Sequence, residues 1–221
     1  MLRPESAEPL YLFMKTTDTM KHLLLLILMV SLLGGCATRH THDEQALRKI
    51  EQALRAGDLL FRRGTGFAGQ MVTALDREGL FSHVGIVAGD STGWYVIHAV
   101  PYEPEFKGDF DRVKCEPIAG FLGRYPEADF GLYRPQIDLQ SLHRIVRHAL
   151  RLSRKQVPFD HDYNTQDTTR LYCTELIEYL FGLEGYTLSE GRRTEVNFTG
   201  LSGAYIFPSD LTQSRLLTPI Y

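Results

Sequence analysis

The spacing of apolar residues changes several times along the chain, and each change marks an element. Leu47, Ile50 and Leu54 recur at helical intervals, which predicts a helix over residues 44–56 that Gly57 stops. Asp58-Leu59-Leu60-Phe61 reads as a strand, and the glycine-rich stretch from Gly64 to Gly69 leads into a short helix ending near Gly79. Two apolar runs, Ser82–Ala88 and Trp94–Val100, flank a Gly-Asp-Ser-Thr-Gly turn and read as paired strands. Pro101 to Asp111 reads as a loop, and Val113–Ile118 and Phe130–Tyr133 as further strands. Leu139, Leu142, Val146, Ala149 and Leu150 mark a long helix that ends before Pro158. Thr174–Phe181 is a second helix, closed by Gly182, and residues 184–205 carry no clear period and read as an irregular excursion. With no internal repeat, the elements add up to an α+β domain built on an antiparallel sheet.

Leu23 to Leu33 is a different kind of apolar run, interrupted only by Ser31. It is shorter than the roughly 20 residues a membrane-spanning helix needs. Lys21 and His22 precede it and Leu33-Gly34-Gly35-Cys36 follows, the layout of a secretory signal with a cysteine after the cut. This resembles the bacterial lipoprotein signal, which implies lipidation at Cys36. Residues 1–35 are then a signal peptide whose true start is Met20, and residues 36–55 a lipidated tether and first helix. Residues 56–221 form the functional domain. Ala37, rather than Asp, after the cysteine favours the outer membrane, with the domain facing the periplasm. A plain signal peptide or hydrophobic anchor with an incidental cysteine is the alternative.

The 221 residues carry 24 Lys+Arg against 27 Asp+Glu, a formal net charge of −3, which excludes bulk nucleic-acid binding. At 43% hydrophobic residues the chain has the material for a packed core, and three cysteines cannot make a disulfide scaffold. The chemistry must therefore lie in a specific site. Side chains alternate along strands, so His83, Gly85 and Val87 share one face, as do Trp94, Val96 and His98. If Gly89–Thr92 forms a four-residue loop, Ala88 pairs with Gly93 and His83 lies opposite His98, with Cβ atoms about 4.5–5.5 Å apart. Cys173 opens the second helix on the face of Leu176, Ile177 and Leu180. There it points toward the sheet, and the helix dipole favours its thiolate. A thiolate at a helix start facing a strand histidine is the arrangement of nucleophilic cysteine catalysis.

The ordered set Gly57-Asp58-Leu59-Leu60-Phe61, Ser82-His83-Val84-Gly85-Ile86, Val96-Ile97-His98-Ala99, Pro158-Phe159-Asp160 and Tyr172-Cys173-Thr174-Glu175-Leu176 carries a resemblance. It resembles the circularly permuted NlpC-type papain-like hydrolases, in particular the YiiX/YebB-like group, from about residue 55 to 210. The resemblance implies an antiparallel sheet or small barrel packed against helices, one of which carries the nucleophile. It further implies Cys173 as nucleophile, His83 as general base and His98 as the third polar residue. Some relatives carry Glu at that third position, and histidine there is similar to the lecithin:retinol acyltransferase branch. The implied activity is cleavage of an amide, ester or thioester through a Cys173 acyl-enzyme, without a cofactor, on cell-wall peptide or a lipid acyl group. The backbone N–H of Cys173 is the first oxyanion donor, with Tyr163 and Tyr172 as candidates for the second. Glu175 reads as a helix cap.

Rival readings remain. Cys173 also fits a buried core cysteine or a Cys115–Cys173 disulfide, and with His83 and His98 it could hold zinc, although no paired ligand spacing supports that. A non-catalytic envelope module that binds peptide or lipid is another, as is an acyltransferase of the same fold. Asp160-His161-Asp162 reads as a solvated loop. Arg144, Arg147, Arg151 and Arg154 form a basic stripe on the long helix, either solvated or facing anionic headgroups or cell-wall polymer.

Overall fold

The structure, a computed structural model, describes residues 48–221 except 77, 78, 127, 166, 199 and 200. The signal segment, Cys36 and the start of the first predicted helix lie outside the described residues. Residues 48–53 are helical, so the helix ends three residues before the expected Ala56.

β1 (Leu59–Arg62), β2 (His83–Asp90), β3 (Gly93–Val100), β4 (Arg112–Pro117), β5 (Phe130–Pro135) and β8 (Leu217–Pro219) form one antiparallel sheet in the order β4-β3-β2-β1-β5-β8. The sheet form of the expectation is therefore the one found, with β4 and β8 at the ends of the pairing order. Between these strands run α1 (Phe67–Leu75), α2 (Ile118–Gly123), α3 (Leu139–Arg154), α4 (Cys173–Gly182) and α5 (Pro208–Thr212).

Apolar side chains leave both faces of the central strands, and each face has its own cover. Leu59, Phe61, Val84, Ile86, Ile97 and Ala99 pack with Ile145 and Ala149 of α3 and Leu176, Ile177 and Leu180 of α4. Leu60, Val87, Val96 and Leu132 pack on the other side with Ile50, Leu54, Ile118 and Phe121. Burial on both faces is why β1 to β3 read as nearly continuous apolar runs rather than strict alternation.

Two sequence expectations are corrected. Residues 184–205 are not irregular throughout, because Thr194–Phe198 (β6) and Leu201–Tyr205 (β7) pair as a separate two-stranded ribbon. Val196 and Phe198 alternate with Glu195 and Asn197, but the strands are only five residues long, and Val196 is the one buried hydrophobic among their described side chains. The β2–β3 register also differs. Ala88 pairs with Tyr95 and Asp90 with Gly93, leaving a two-residue loop, Ser91-Thr92, instead of four. The Asp90 carboxylate accepts hydrogen bonds from the Thr92 N–H (2.7 Å) and hydroxyl (2.5 Å), and this local bonding closes the turn early. The register moves by two residues, so every side chain keeps its predicted face.

The ladder between β2 and β3 stops at Ile86↔Ile97. Beyond it His83–Gly85 and His98–Val100 continue without pairing to each other. Gly85 sits in this stretch, and a Cβ there would stand 3.0 Å from His98 Cβ and collide with Val96 Cγ1. Gly85→Ala should therefore cost about 1–3 kcal/mol of stability by overpacking. Gly182→Ala, whose Cβ would meet nothing within 4 Å, should leave stability within about 1 kcal/mol of wild type. Urea denaturation of both variants checks the contrast.

Candidate active site

His83 is the first residue of β2, directly opposite Arg62, the last of β1. His98 lies on β3, and the freed end of the hairpin lets the two rings meet. His83 Nε2 is 2.8 Å from His98 Nδ1, with the rings edge to face at 5.0 Å between centroids. The direct opposition expected from sequence is corrected by the register, yet the coupling of the two imidazoles is present. Both rings are buried against Phe121 of α2, and His98 is fully enclosed.

The histidine pair continues into a residue that the sequence reading did not single out. His98 Nε2 lies 2.8 Å from Glu116 Oε1 on β4. The approach is too oblique for a ring N–H to form a hydrogen bond there, and neither atom has any hydrogen-bond partner among the described residues. Glu116 Oε2 in turn faces Arg124 (3.3 Å), which also reaches Glu103 Oε2 (2.8 Å). Glu103 pairs with Arg62 at 2.6 Å, and Arg62 lies 4.2 Å over the Phe121 ring. The buried amine of Lys114, beside His98 in the β3–β4 register, donates to the carbonyl of Glu103. The signal available in the sequence was the alternation of charged Arg112, Lys114 and Glu116 with Val113 and Cys115.

Burial is the main force lowering the affinity of His83 and His98 for protons, and the nearby Arg62 adds to it in both cases. Both imidazoles are therefore neutral near pH 7. His83 Nδ1 makes no hydrogen bond among the described residues.

Cys173 opens α4 on the opposite side of the sheet, and its sulfur is met by the N–H of Val84, the residue after His83. The N–H groups of Cys173 and Thr174 also face it. These donors favour the thiolate, but burial outweighs them and pushes the thiol up to about 11. The resting nucleophile candidate is thus a protonated thiol, not the thiolate that the helix dipole alone suggests. Cys173 and Cys115 are both free.

The remaining predicted residues separate clearly. Tyr172 is buried and its hydroxyl accepts a hydrogen bond from the Ile206 N–H (3.3 Å), which leaves its own proton free to donate. Tyr163 is half-buried, with its phenol pushed up to about 12 by burial and by the neighbouring Cys173. Glu175 caps the helix, accepting from the Tyr172 N–H at 3.2 Å, while burial raises its carboxyl to about 7. Asp160 is not solvated, contrary to the loop reading. It is 1% exposed and accepts from the N–H groups of Asp162 (3.0 Å) and Asn164 (2.5 Å). Arg144 of the basic stripe is tied to Glu184 at 2.8 Å, whereas Arg147, Arg151 and Arg154 lie along the outer side of the helix.

No known protein-family profile matches the sequence, and neither does any curated protein. The fold is similar to the crystal structure of the metalloprotein YiiX from Escherichia coli O157:H7 (DUF1105). The match has a TM-score of 0.61 and 15% identity, and covers 76% of this chain and 96% of YiiX. At that identity the likeness shows the shared fold. His98 is not free to ligate a metal, since one of its nitrogens meets His83 and the other faces Glu116. Among the described residues no group of three or more His, Cys, Asp or Glu is placed to hold an ion.

The proton affinities set how the site responds to pH. Iodoacetamide should label Cys173 more slowly at pH 8 than it labels a free thiol, with the rate climbing towards pH 11. A plateau below pH 8 would contradict the resting thiol. Stability should also depend on pH. His83 and His98 bind protons less readily folded than unfolded, so their contribution is complete above about 6.5 and is lost as pH falls below it. Glu175, raised from 4.5 to about 7, acts oppositely: its contribution is complete below 4.5 and is lost as pH rises through 7. Two imidazoles outweigh one carboxyl, so urea midpoints should fall between pH 8 and 5, and fall more steeply in Glu175→Gln.

Proposed function

We propose that this chain is a cysteine hydrolase that attacks an amide, ester or thioester carbonyl through Cys173, with His83 as general base. The observation that carries the reading is the state of His83. Its Nε2 is committed to His98, its Nδ1 is left free, and it stands next along the chain to the amide that meets the Cys173 sulfur. His83 Nδ1 takes the Cys173 proton as the sulfur attacks the carbonyl carbon. The carbonyl oxygen becomes an oxyanion facing the Cys173 N–H, with the hydroxyls of Tyr163 and Tyr172, both neighbours of Cys173, as the candidates to donate second. Collapse breaks the bond to the leaving group, which takes the proton from His83 and leaves a thioester on Cys173. Water then attacks the thioester, giving its proton to His83, and the carboxylic acid departs as Cys173 regains its thiol. An amine or hydroxyl in place of that water makes the enzyme an acyltransferase.

The permuted NlpC-type papain-like arrangement, with the base strand before the nucleophile helix, fits the chain order of His83, His98 and Cys173. In the same reading, residues 1–35 are a lipoprotein signal. Lipid on Cys36 tethers the domain of residues 56–221 to the outer membrane, facing the periplasm. No helix among the described residues is long and apolar enough to cross a membrane. That location offers two substrate classes, cell-wall peptide and acyl lipid.

An activated acyl ester such as p-nitrophenyl acetate tests the chemistry without a known substrate. The expected result is an acyl adduct mapped to Cys173, absent in Cys173→Ala and formed about 10²–10⁴-fold more slowly in His83→Ala. Adduct formation unchanged by His83→Ala would overturn the reading. Equal peptide or lipid binding by wild type and Cys173→Ala, with turnover by neither, would establish the binding-module alternative.

A further inference from the structure

The proton on His83 has two places to sit, and only one of them leaves a base. A neutral imidazole donates from one nitrogen and accepts at the other. If His83 donates from Nε2, its Nδ1 lone pair is available; if it accepts at Nε2, Nδ1 carries the proton and no base exists on that side. His98 decides between these, because its Nδ1 is the atom that meets His83 Nε2. The choice passes in turn to whatever faces His98 Nε2, and that is Glu116 Oε1 at 2.8 Å.

We infer that Glu116 is a positioning residue that sets the tautomers of both histidines and thereby places the free lone pair on His83 Nδ1. A carboxylate oxygen only accepts, so His98 Nε2 must carry its proton. His98 Nδ1 is then an acceptor, His83 Nε2 must donate to it, and His83 Nδ1 is left bare. His98 Nε2 and Glu116 Oε1 are both buried with no hydrogen-bond partner among the described residues, and at 2.8 Å two facing lone pairs would repel, so the proton belongs on Nε2.

The other carboxylate oxygen explains why an amide cannot replace the acid. Glu116 Oε2 faces the Arg124 guanidinium at 3.3 Å, so both oxygens of Glu116 meet donors. In Glu116→Gln a single side-chain oxygen is left to serve two donors. With that oxygen turned to Arg124, the amide NH2 faces His98 Nε2 and reverses the relay, so that His98 Nδ1 donates to His83 Nε2 and the proton moves to His83 Nδ1. The groups packed around the relay are Arg62, Glu103, Lys114 and Arg124, and all of them are retained in this variant.

The inference rests on the reading of His83 as a base, yet it has its own readout. Long-range 1H–15N correlation spectra of the whole chain labelled with 15N-histidine report which nitrogen of each ring is protonated. The expected wild-type result at pH 7.5 is Nε2–H for both His83 and His98. In Glu116→Gln the expected result is conversion of both rings towards Nδ1–H, with acylation of Cys173 by p-nitrophenyl acetate falling at least 10-fold. Glu116→Asp, which keeps two acceptor oxygens, should retain the wild-type tautomers. An Nδ1–H tautomer at His83 in wild type, or unchanged tautomers in folded Glu116→Gln, would overturn the role of Glu116. Tautomers as expected with no Cys173 acylation in any form would leave that role standing and overturn the hydrolase reading instead.

Discussion

A guanidinium buried on the histidine face constrains everything around it. Arg62 ends β1, is 3% exposed and cannot lose its proton, so its charge must be met inside the protein. Glu103 meets it at 2.6 Å and the Phe121 carbonyl accepts from it at 2.7 Å. Removing one partner of such a pair typically costs about 3–5 kcal/mol, because the other charge is left stranded. Glu103 belongs to the segment between β3 and β4, which apolar patterning reads only as a loop. That segment is fixed by charge: Lys114 donates to the Glu103 carbonyl, and Asp109 holds Arg112 at 3.0 Å and Lys114 at 3.3 Å. Arg124, just after α2, completes the cluster by bridging Glu103 and Glu116. Parts of the chain with no apolar reason to meet are thus locked around two imidazoles.

The same cluster decides the protonation of the proposed site. Arg62 and Arg124 add to burial in keeping His83 and His98 neutral, and burial keeps Cys173 a thiol. A preformed thiolate–imidazolium pair would require both preferences to be reversed. In the proposed mechanism the proton instead moves during attack, as bond formation to carbon stabilises the sulfur's charge. The imidazolium then formed at His83 keeps its proton until the leaving group takes it, steadied by His98 and by the nearby charge of Glu116, the carboxylate that a triad of cysteine and two histidines lacks. Histidine in the third position, which by itself steadies an imidazolium less than a carboxylate does, is backed here by one.

Much of this was legible in the chain, and the failures have physical causes. The apolar runs around His83 and His98 place both rings on one sheet face, because strand alternation survives a two-residue error in register. The error came from Asp90, whose side chain bonds Thr92 and tightens the turn in a way hydrophobic pattern does not record. Glu116 was missed although its strand was found. The long connection from Val100 to Arg112 gives no register between β3 and β4, so nothing in the sequence says that Lys114 faces His98 or that Glu116 lies close by. The β6–β7 ribbon was missed because its strands are only five residues each, too short for their alternation to stand out. Cys173 was placed correctly at a helix start, but the reactivity inferred from the dipole omitted burial, which depends on what packs over the helix rather than on the helix itself.

Strand alternation alone would separate the two halves of the proposed site. His83 leaves β2 toward α2, whereas Val84 and Ile86 leave it toward α4, the helix that carries Cys173. The early end of the β2–β3 ladder resolves this conflict. It frees the end of the strand so that the sulfur is met by the Val84 amide, and it gives the rings of His83 and His98 room to meet across Gly85. The thiol is positioned by the core of α3 and α4, and the imidazoles by the charged cluster under α2. Changes in one core should therefore move the nucleophile with the histidine relay left in place, and changes in the other should do the reverse. The backbone of His83 to Gly85 belongs to both, which is why a side chain as small as alanine at Gly85 should disturb the site from the middle.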